Sequence, residues 1–369
     1  MWLRIRTLIV KELLAIWHDP KSRFVLLGPP VIQMVLFAYA ATQEVKNVGV
    51  AVLNDDMGAE ARDLVARFEG SPNFRAVRRL RAESDIAAAI DSRSVLLVVH
   101  IRADFSRELA VGRPAAVQLI LDGRSSNASQ ILAGYAEEII DSYNAELAQT
   151  RSAPPPASTV VARVWFNPNM DALWSTVPSL VAILVAMEGL MMTGLSVARE
   201  RELGTFEQLL VSPLSPGEIV VGKTVPAFVI GLGEGTLMVT VAVFFFRIPL
   251  IGSVALLYAS MSAFLLAVIG IGLFISSLAR TQQQAILGTF SFMVPMMLLS
   301  GFASPVENMP DWLQTVTLAN PVRHFIVIVK GVFLKAMPAA EVLHSLWPLL
   351  VIGLVTLSAA TWLFRRRTE

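Results

Sequence analysis

Apolar and polar positions follow two different rhythms along this chain, and the change of rhythm divides it. Six stretches stay apolar for roughly the 20 residues that a helix needs to cross a hydrocarbon core. They are residues 24–41, 177–198, 227–246, 254–279, 285–303 and 346–364. Ahead of the first, apolar residues recur at helical spacing. At about 100° per residue, Trp2, Ile5, Ile9, Leu13 and Ile16 share one face, and Arg4, Lys11 and His18 lie opposite. This pattern predicts an interfacial helix over residues 1–23, its basic side toward anionic headgroups; the alternative is an ordinary amphipathic helix of a soluble part. Asp19-Pro20 interrupts it. Pro29-Pro30 predicts a kink or widened turn in the first span, taken as 24–43.

Residues 44–171 read differently. Charges are dense, and short apolar runs of strand character alternate with amphipathic helical ones. Strands are expected at 48–53, 74–77, 95–101, 117–121 and 160–166. Helices are expected at 59–68, 84–90, 104–111 (with Asp104 as N-cap) and 126–148. Pro154-Pro155-Pro156 marks a stiff linker. Strands alternating with helices argue a compact α/β domain. The fold class expected is therefore an α-helical polytopic membrane protein with six transmembrane helices, an inserted α/β domain at 44–171 and an N-terminal interfacial helix. The remaining spans fall in residues 172–369.

Composition sharpens this reading. Hydrophobic residues make up 54% and charged ones 16%, against about 25% charged in ordinary soluble domains. A net charge of +1 gives no nucleic-acid footprint. The chain has no cysteine, which removes disulfides, thiolate metal sites and cysteine nucleophiles. Histidines at 18, 100, 324 and 344 are too scattered for a metal cluster. Neither Gly-x-Ser-x-Gly nor His-Glu-x-x-His occurs, so no hydrolase is indicated and no catalytic residue is assigned. Lys and Arg crowd one set of flanks: Arg4, Arg6, Lys11, Lys21, Arg23, then Arg199, Arg201, Lys223, Arg280 and Arg365-Arg366-Arg367. With six alternating spans these all fall on one side, so both termini are expected in the cytoplasm and residues 44–171 outside.

A charged island separates the second and third apolar runs. Its end, Gly217-x-x-x-x-Gly222-Lys223-Thr224, matches the phosphate-loop pattern letter for letter. The context is wrong for a nucleotide site. Ser212-Pro213-Leu214-Ser215-Pro216 cannot be the buried strand that precedes such a loop, and Val225 enters an apolar run. Lys223 is instead expected to anchor the third span at the headgroups. The plainer half, Arg199-Glu200-Arg201-Glu202 and the helix-like stretch after it, suits docking into a partner's groove. Phe206, Leu209 and Leu210 would be the anchors and Glu200, Arg201, Glu202 and Glu207 the rim. The alternative is a solvated turn.

The pattern Arg199-Glu200-Arg201-Glu202-x-Gly204-Thr205-x-Glu207-x-Leu209-Leu210, then Ser212-Pro213-x-x-x-x-Glu218 and Gly222-Lys223, resembles the permease subunits of ABC-2-type ABC transporters. A second block agrees: Ser300-Gly301, Pro305, Met309-Pro310-x-Trp312-Leu313, Asn320-Pro321 and Lys330-Gly331-x-x-Leu334-Lys335. The family usually has arginine and glycine where this chain has Lys330 and Ala336. The resemblance covers the whole chain and is closest to the branch with a large extracytoplasmic domain after the first span, found in bacterial drug-efflux exporters. It implies that residues 199–212 form a coupling helix, with Arg199, Glu200, Arg201, Gly204, Thr205, Phe206, Leu209 and Leu210 receiving the motion of a separate nucleotide-binding subunit. ATP and magnesium would sit on that partner, with no cofactor and no metal on this chain. It further implies a homo- or heterodimer of permeases in the bacterial inner membrane, with a periplasmic adaptor or membrane-fusion protein as a further partner. Residues 305–335 would dip back into the membrane as short outer helices, consistent with two amphipathic stretches too short to span.

Ionisable groups inside apolar spans are costly and mark functional or packing sites. Glu188, Glu234 and, more weakly, Gln33 are candidates for a polar lining of the export path. Glu307, Pro310, Pro321 and His324 belong to the expected outer gate. Gly231, Gly233, Gly235, Gly270 and Gly272 would permit close helix approach. An ion-coupled secondary transporter using Glu188 and Glu234 is the alternative class, although no inverted repeat supports it. A sensor or envelope assembly factor is a third.

Overall fold

The computed structural model describes residues 2–18, 20–40, 48–92, 94–150, 166–167, 171–206 and 215–368. They form two compact units, Met1–Thr42 with Arg163–Glu369, and Gln43–Ala162.

The first unit opens with α1 (Trp2–His18) and α2 (Pro20–Ala40). Among the described side chains of α1, Ile5 and Leu8 are buried; Ile5 lies on the face expected from periodicity and Leu8 lies off it. The α2 helix continues through Pro29 and Pro30 and buries Met34 and Ala38.

The second unit alternates strand and helix: β1 (Val48–Asn54), α3 (Ala59–Gly70), β2 (Phe74–Leu80), α4 (Ser84–Asp91), β3 (Leu97–Ile101), α5 (Phe105–Ala110), β4 (Val117–Leu121) and α6 (Ser126–Thr150). The sheet order is β2-β1-β3-β4, with β1 parallel to both β2 and β3, and β4 antiparallel to β3. Parallel neighbours need helical crossovers, and these cover both faces. Val50 and Val52 pack with Leu64, Val65 and Phe68 of α3 and Leu132 and Ala136 of α6. Their neighbours Ala51 and Leu53 point the other way, onto Ile86 and Ala89 of α4. Because β3 is central, all five of its residues are buried. Asp104 precedes α5 as expected, but its side chain makes no capping bond. At the carboxyl ends of the strands, Asp55 pairs with His100 Nε2 at 2.8 Å. Partial burial of the Asp56 carboxyl opposes its ionisation. The Ser106 N–H, the Gly58 N–H and the Ser106 hydroxyl together outweigh that and hold its pKa below the ordinary value. The strand expected at 160–166 lies largely outside the described residues.

The first unit resumes with α7 (Ala172–Glu202), α8 (Pro216–Thr240, extended by a π-helical turn Val241–Phe245), α9 (Val254–Leu278), α10 (Gln282–Leu298), α11 (Asp311–Val316), α12 (Pro321–Lys330) and α13 (Ala339–Thr368). Side chains cap the starts: Asp171 for α7, Ser215 for α8, Ser253 for α9, Thr281 for α10 and Asn320 for α12. Among the described residues, 4 helices are long and apolar enough to cross a membrane: Ala172–Glu202, Pro216–Phe245, Val254–Leu278 and Ala339–Arg366. Of the two other expected spans, α10 is a helix of 17 residues, and α2 is apolar over Gly28–Ala40. The α10 helix stops at Leu298, before its apolar run ends, and the chain turns at Gly301, whose φ of +86° favours a residue without Cβ. The α7 window is 67% buried and that of α13 only 17%, so α7 is central and α13 peripheral. Exposed Leu343, Trp347, Leu350, Leu354 and Trp362 give α13 an apolar outer surface suited to lipid. Within the bundle, Phe264 of α9 stacks on Phe325 of α12 at 4.3 Å between ring centroids. Of the expected close-approach glycines, Gly231, Gly235, Gly270 and Gly272 each abut a neighbouring helix, and Gly233 does not.

Candidate coupling and translocation site

The four consecutive charges are the last turn of α7, not the opening of a separate helix. A helix C-terminus leaves carbonyls unsatisfied, and this one lies among the ends of several other helices. Glu200 Oε2 sits 2.9 Å from Lys223 Nζ on α8, with the side chains only 13% and 2% exposed. Lys223 also donates to Ser196 Oγ at 3.0 Å. Arg201 Nη1 donates to the carbonyls of Ser277 (3.0 Å) and Ala279 (2.7 Å) at the end of α9. The Arg201 guanidinium also lies over the Phe206 ring, 4.6 Å from its centroid. Phe206 in turn meets Phe364 of α13 at 6.3 Å. Glu202 Oε2 accepts from the Gln282 N–H at 2.8 Å, on the first residue of α10. One turn earlier, Ser276 Oγ accepts from the N–H groups of Val197 and Ala198. Four other helices, α8, α9, α10 and α13, are thus fastened to the last turn of α7 and the residues just after it.

Gly204 lets the chain leave that turn, with φ +70°, and the Thr205 N–H closes it on the Glu200 carbonyl at 2.9 Å. Three expectations change here. Lys223 is buried against Glu200 and Ser196 instead of reaching outward as an anchor. Glu200 is not part of an outer rim. Phe206 is buried inside the chain instead of projecting as an anchor, because Arg201 and Phe364 enclose its ring. Arg199 is exposed. Glu207, Leu209 and Leu210 lie outside the described residues.

Residues 217–224 are the opening turns of α8. Ser215 and Glu218 form a reciprocal capping box, with Ser215 N–H to Glu218 Oε2 at 2.7 Å and Glu218 N–H to Ser215 Oγ at 3.3 Å. A Cβ at Gly222 would overlap the Leu8 side chain, so this glycine admits α1 against α8. The same contact sets which face of α1 is buried. Of the letters of the apparent phosphate loop, Gly222 and Lys223 thus have packing roles, whereas Gly217 faces open space.

Deeper in the bundle, α7 and α8 run antiparallel from the Lys223–Ser196 contact. At about 1.5 Å per residue, Glu188 and Glu234 lie roughly 12 and 16 Å along the same direction. Glu234 is 4% exposed, and its Oε1 has no hydrogen-bond partner among the described residues. Gln33 on α2 is half-buried and its Oε1 is likewise unpartnered.

At the other expected gate, α11 with its following turn (Asp311–Ala319) meets Pro321–Lys335 at an 86° bend. Pro310 splits the first stretch, so 306–308 form a separate tight turn and α11 starts at Asp311. Pro321 is buried at the first position of α12. The bend is held through backbone carbonyls. Asn320 Nδ2 donates to the Met296 carbonyl at 2.7 Å, and its Oδ1 accepts from the Val322 N–H at 3.0 Å. Arg323 Nη1 donates to the Gln314 carbonyl at 2.9 Å and to the Thr317 hydroxyl. His324 Nε2 is 2.9 Å from the Leu318 carbonyl. Glu307 is exposed; its carbonyl accepts from Gln314 Nε2. Asn320 and Arg323 are the elbow residues that periodicity missed, although Asn before Pro was a visible helix-start signal. Among the described residues, no group of three His, Cys, Asp or Glu could hold a metal ion.

Residues 22–362 match the family model described as ABC-2 family transporter protein. The chain is 46% identical over 367 residues to the "Probable multidrug ABC transporter permease YbhR" of Escherichia coli (strain K12), covering 100% of both chains. It is 30% identical over 373 residues to the "Probable multidrug ABC transporter permease YbhS" of the same strain, covering 99% of this chain and 97% of that one. It is 25% identical over 359 residues to the "Inner membrane transport permease YhhJ", also of that strain, covering 97% and 96%.

Proposed function

The chain belongs to the ABC-2 family of transporter proteins, and from that premise we propose that it is the membrane-spanning permease of an ATP-driven exporter. ATP and magnesium are handled by a separate ATPase subunit, which docks on the segment following α7. The substrate is a hydrophobic or amphipathic molecule of the drug, lipid or glycolipid class, taken from the cytoplasm or inner leaflet. Two permeases pair in the bacterial inner membrane, and a periplasmic adaptor engages them. Both termini are cytoplasmic, α2 and α10 complete a set of six spans, and the α/β unit is extracytoplasmic. Glu188, Glu234 and Gln33 line the path, and the 86° elbow with Glu307, Pro310, Pro321 and His324 forms the outer gate.

The observation that supports this reading best is the fastening at Glu200–Phe206. A segment tied to the ends of α7, α8, α9, α10 and α13 moves those helices when it is moved. Exposed Arg199 and Leu203, with Thr205 beyond them, remain to meet a partner. The test is co-purification with a co-expressed ATPase subunit of an ABC transporter. The pair should hydrolyse ATP, the permease alone should not, and Arg199→Glu should reduce recovery of the ATPase about tenfold without loss of membrane insertion. ATP hydrolysis by the purified permease alone that survives Lys223→Ala would overturn the assignment.

A further inference from the structure

One side of the α/β unit ends in an unpaired strand. β2 is the outer strand of its sheet. Its inner edge pairs with β1 from Val48↔Phe74 to Leu53↔Leu80, and its outer edge has no partner among the described residues. An open edge of this kind is a template for another strand. Its charge is unusual for the unit that carries it. Residues 43–162 hold three more carboxylates than cations, yet residues 74–81 read Phe-Arg-Ala-Val-Arg-Arg-Leu-Arg with no acid. Arg78, Arg79 and Arg81 are exposed.

A cavity of about 250 Å³ opens beside this edge, at the carboxyl ends of β1 and β2 under α3, where open α/β sheets usually take their ligands. Val52, Val65 and Leu80 contribute apolar walls, Asn54 a polar one, and Arg62 and Arg79 the cations. Arg79 already shows its taste for a carboxylate, holding Glu69 Oε1 at 2.8 Å. Arg62 makes no ion pair among the described residues. Of the acids at this end of the sheet and on α3, Asp55 is committed to His100, Asp56 to Gly58 and Ser106, and Asp63 to Arg67.

We infer that the outer edge of β2 is a docking strand for an acidic, extended segment of a partner protein. That segment adds to the sheet through main-chain hydrogen bonds and seats one carboxylate side chain between Arg62 and Arg79. The cavity is below the usual range of roughly 300–1,000 Å³ for small-molecule sites, and its size suits a side chain. Strand addition supplies main-chain affinity, and pockets beside the edge supply specificity. The arginines disfavour pairing with a second copy of the same strand and favour an acidic one. A guanidinium pair matches a carboxylate by two-pronged hydrogen bonding. The inference rests on the α/β unit alone and stands apart from the export reading.

The test uses the full chain in nanodiscs of zwitterionic lipid and a fluorescent eight-residue peptide of alternating glutamate and valine. Saturable binding is expected, with new hydrogen-exchange protection of the β2 amides. The same peptide N-methylated on alternate residues keeps its charge but loses its donors, and should bind at least tenfold more weakly. The double variant Arg62→Gln/Arg79→Gln should bind the unmodified peptide at least tenfold more weakly, with unchanged protection of β1 and β3. No saturable binding, equal binding of the N-methylated peptide, or equal binding of a lysine–valine peptide would each overturn the proposal. So would binding of anionic vesicles at this edge that the acidic peptide fails to displace.

Discussion

The ion pair of Glu200 and Lys223 belongs to the class whose rupture is costly, because removing one partner strands the other charge away from water. Either Glu200→Ala or Lys223→Ala should destabilise the bundle by about 3–5 kcal/mol, read as a lower thermal midpoint in detergent. The exchange Glu200→Lys with Lys223→Glu should recover most of the loss; a swap no better than the single variants would mean that the pair itself contributes little. The charges were visible in the sequence, but their use was not. A lysine at the mouth of an apolar run is read by default as a headgroup anchor, since long cationic side chains reach toward water. Only the antiparallel pairing of α7 with α8 brings Glu200 and Ser196 to it. Phe206 was misjudged for the same reason. Its position on a charged turn suggested an outward anchor, and the ring it meets, Phe364, lies near the far end of the chain.

Among the elements, the elbow between α11 and α12 is tied to α10 through Asn320. Its side chain satisfies the Met296 carbonyl on α10 and caps α12 through Val322. Asn320→Ala should cost about 1 kcal/mol through the cap alone. It should also speed hydrogen exchange at the start of α12 and slow substrate export, while ATP hydrolysis by the partner continues. Unchanged exchange there would show that Arg323 and His324 hold the bend without it. The helix break was legible, because Asn320-Pro321 is a start signal whose mechanism is local. The strands of the α/β unit were legible as well, since β1 and β3 have apolar residues on both faces and are bounded by polar turns. The buried face of α1 was not. Five apolar residues marked one face, and Leu8 lay off it; what draws Leu8 inward is the missing Cβ of Gly222, on an element far away in sequence.

At the scale of the whole molecule, the membrane arrangement can be tested directly, because the natural chain contains no cysteine. Single cysteines at exposed sites need no engineered background. Glu137→Cys and Glu307→Cys should react with a membrane-impermeant maleimide in cells whose outer membrane alone is permeabilised. Arg199→Cys should react only after the inner membrane is opened. The opposite pattern would invert the topology, and labelling of Arg199→Cys together with Glu307→Cys would break the six-span count. Hydropathy located the apolar runs but overran the helix at α10, where the turn at Gly301 ends the regular backbone before the apolar composition changes. The fastening around Glu200–Phe206 also has a consequence for building hybrids of related permeases. Arg201 and Glu202 reach backbone atoms of Ser277, Ala279 and Gln282, which every sequence supplies. Lys223, Ser276 and Phe364 contribute side chains from outside α7. A graft that carries residues 196–206 together with those three positions therefore brings these contacts with it, whatever side chains the recipient has at 277, 279 and 282.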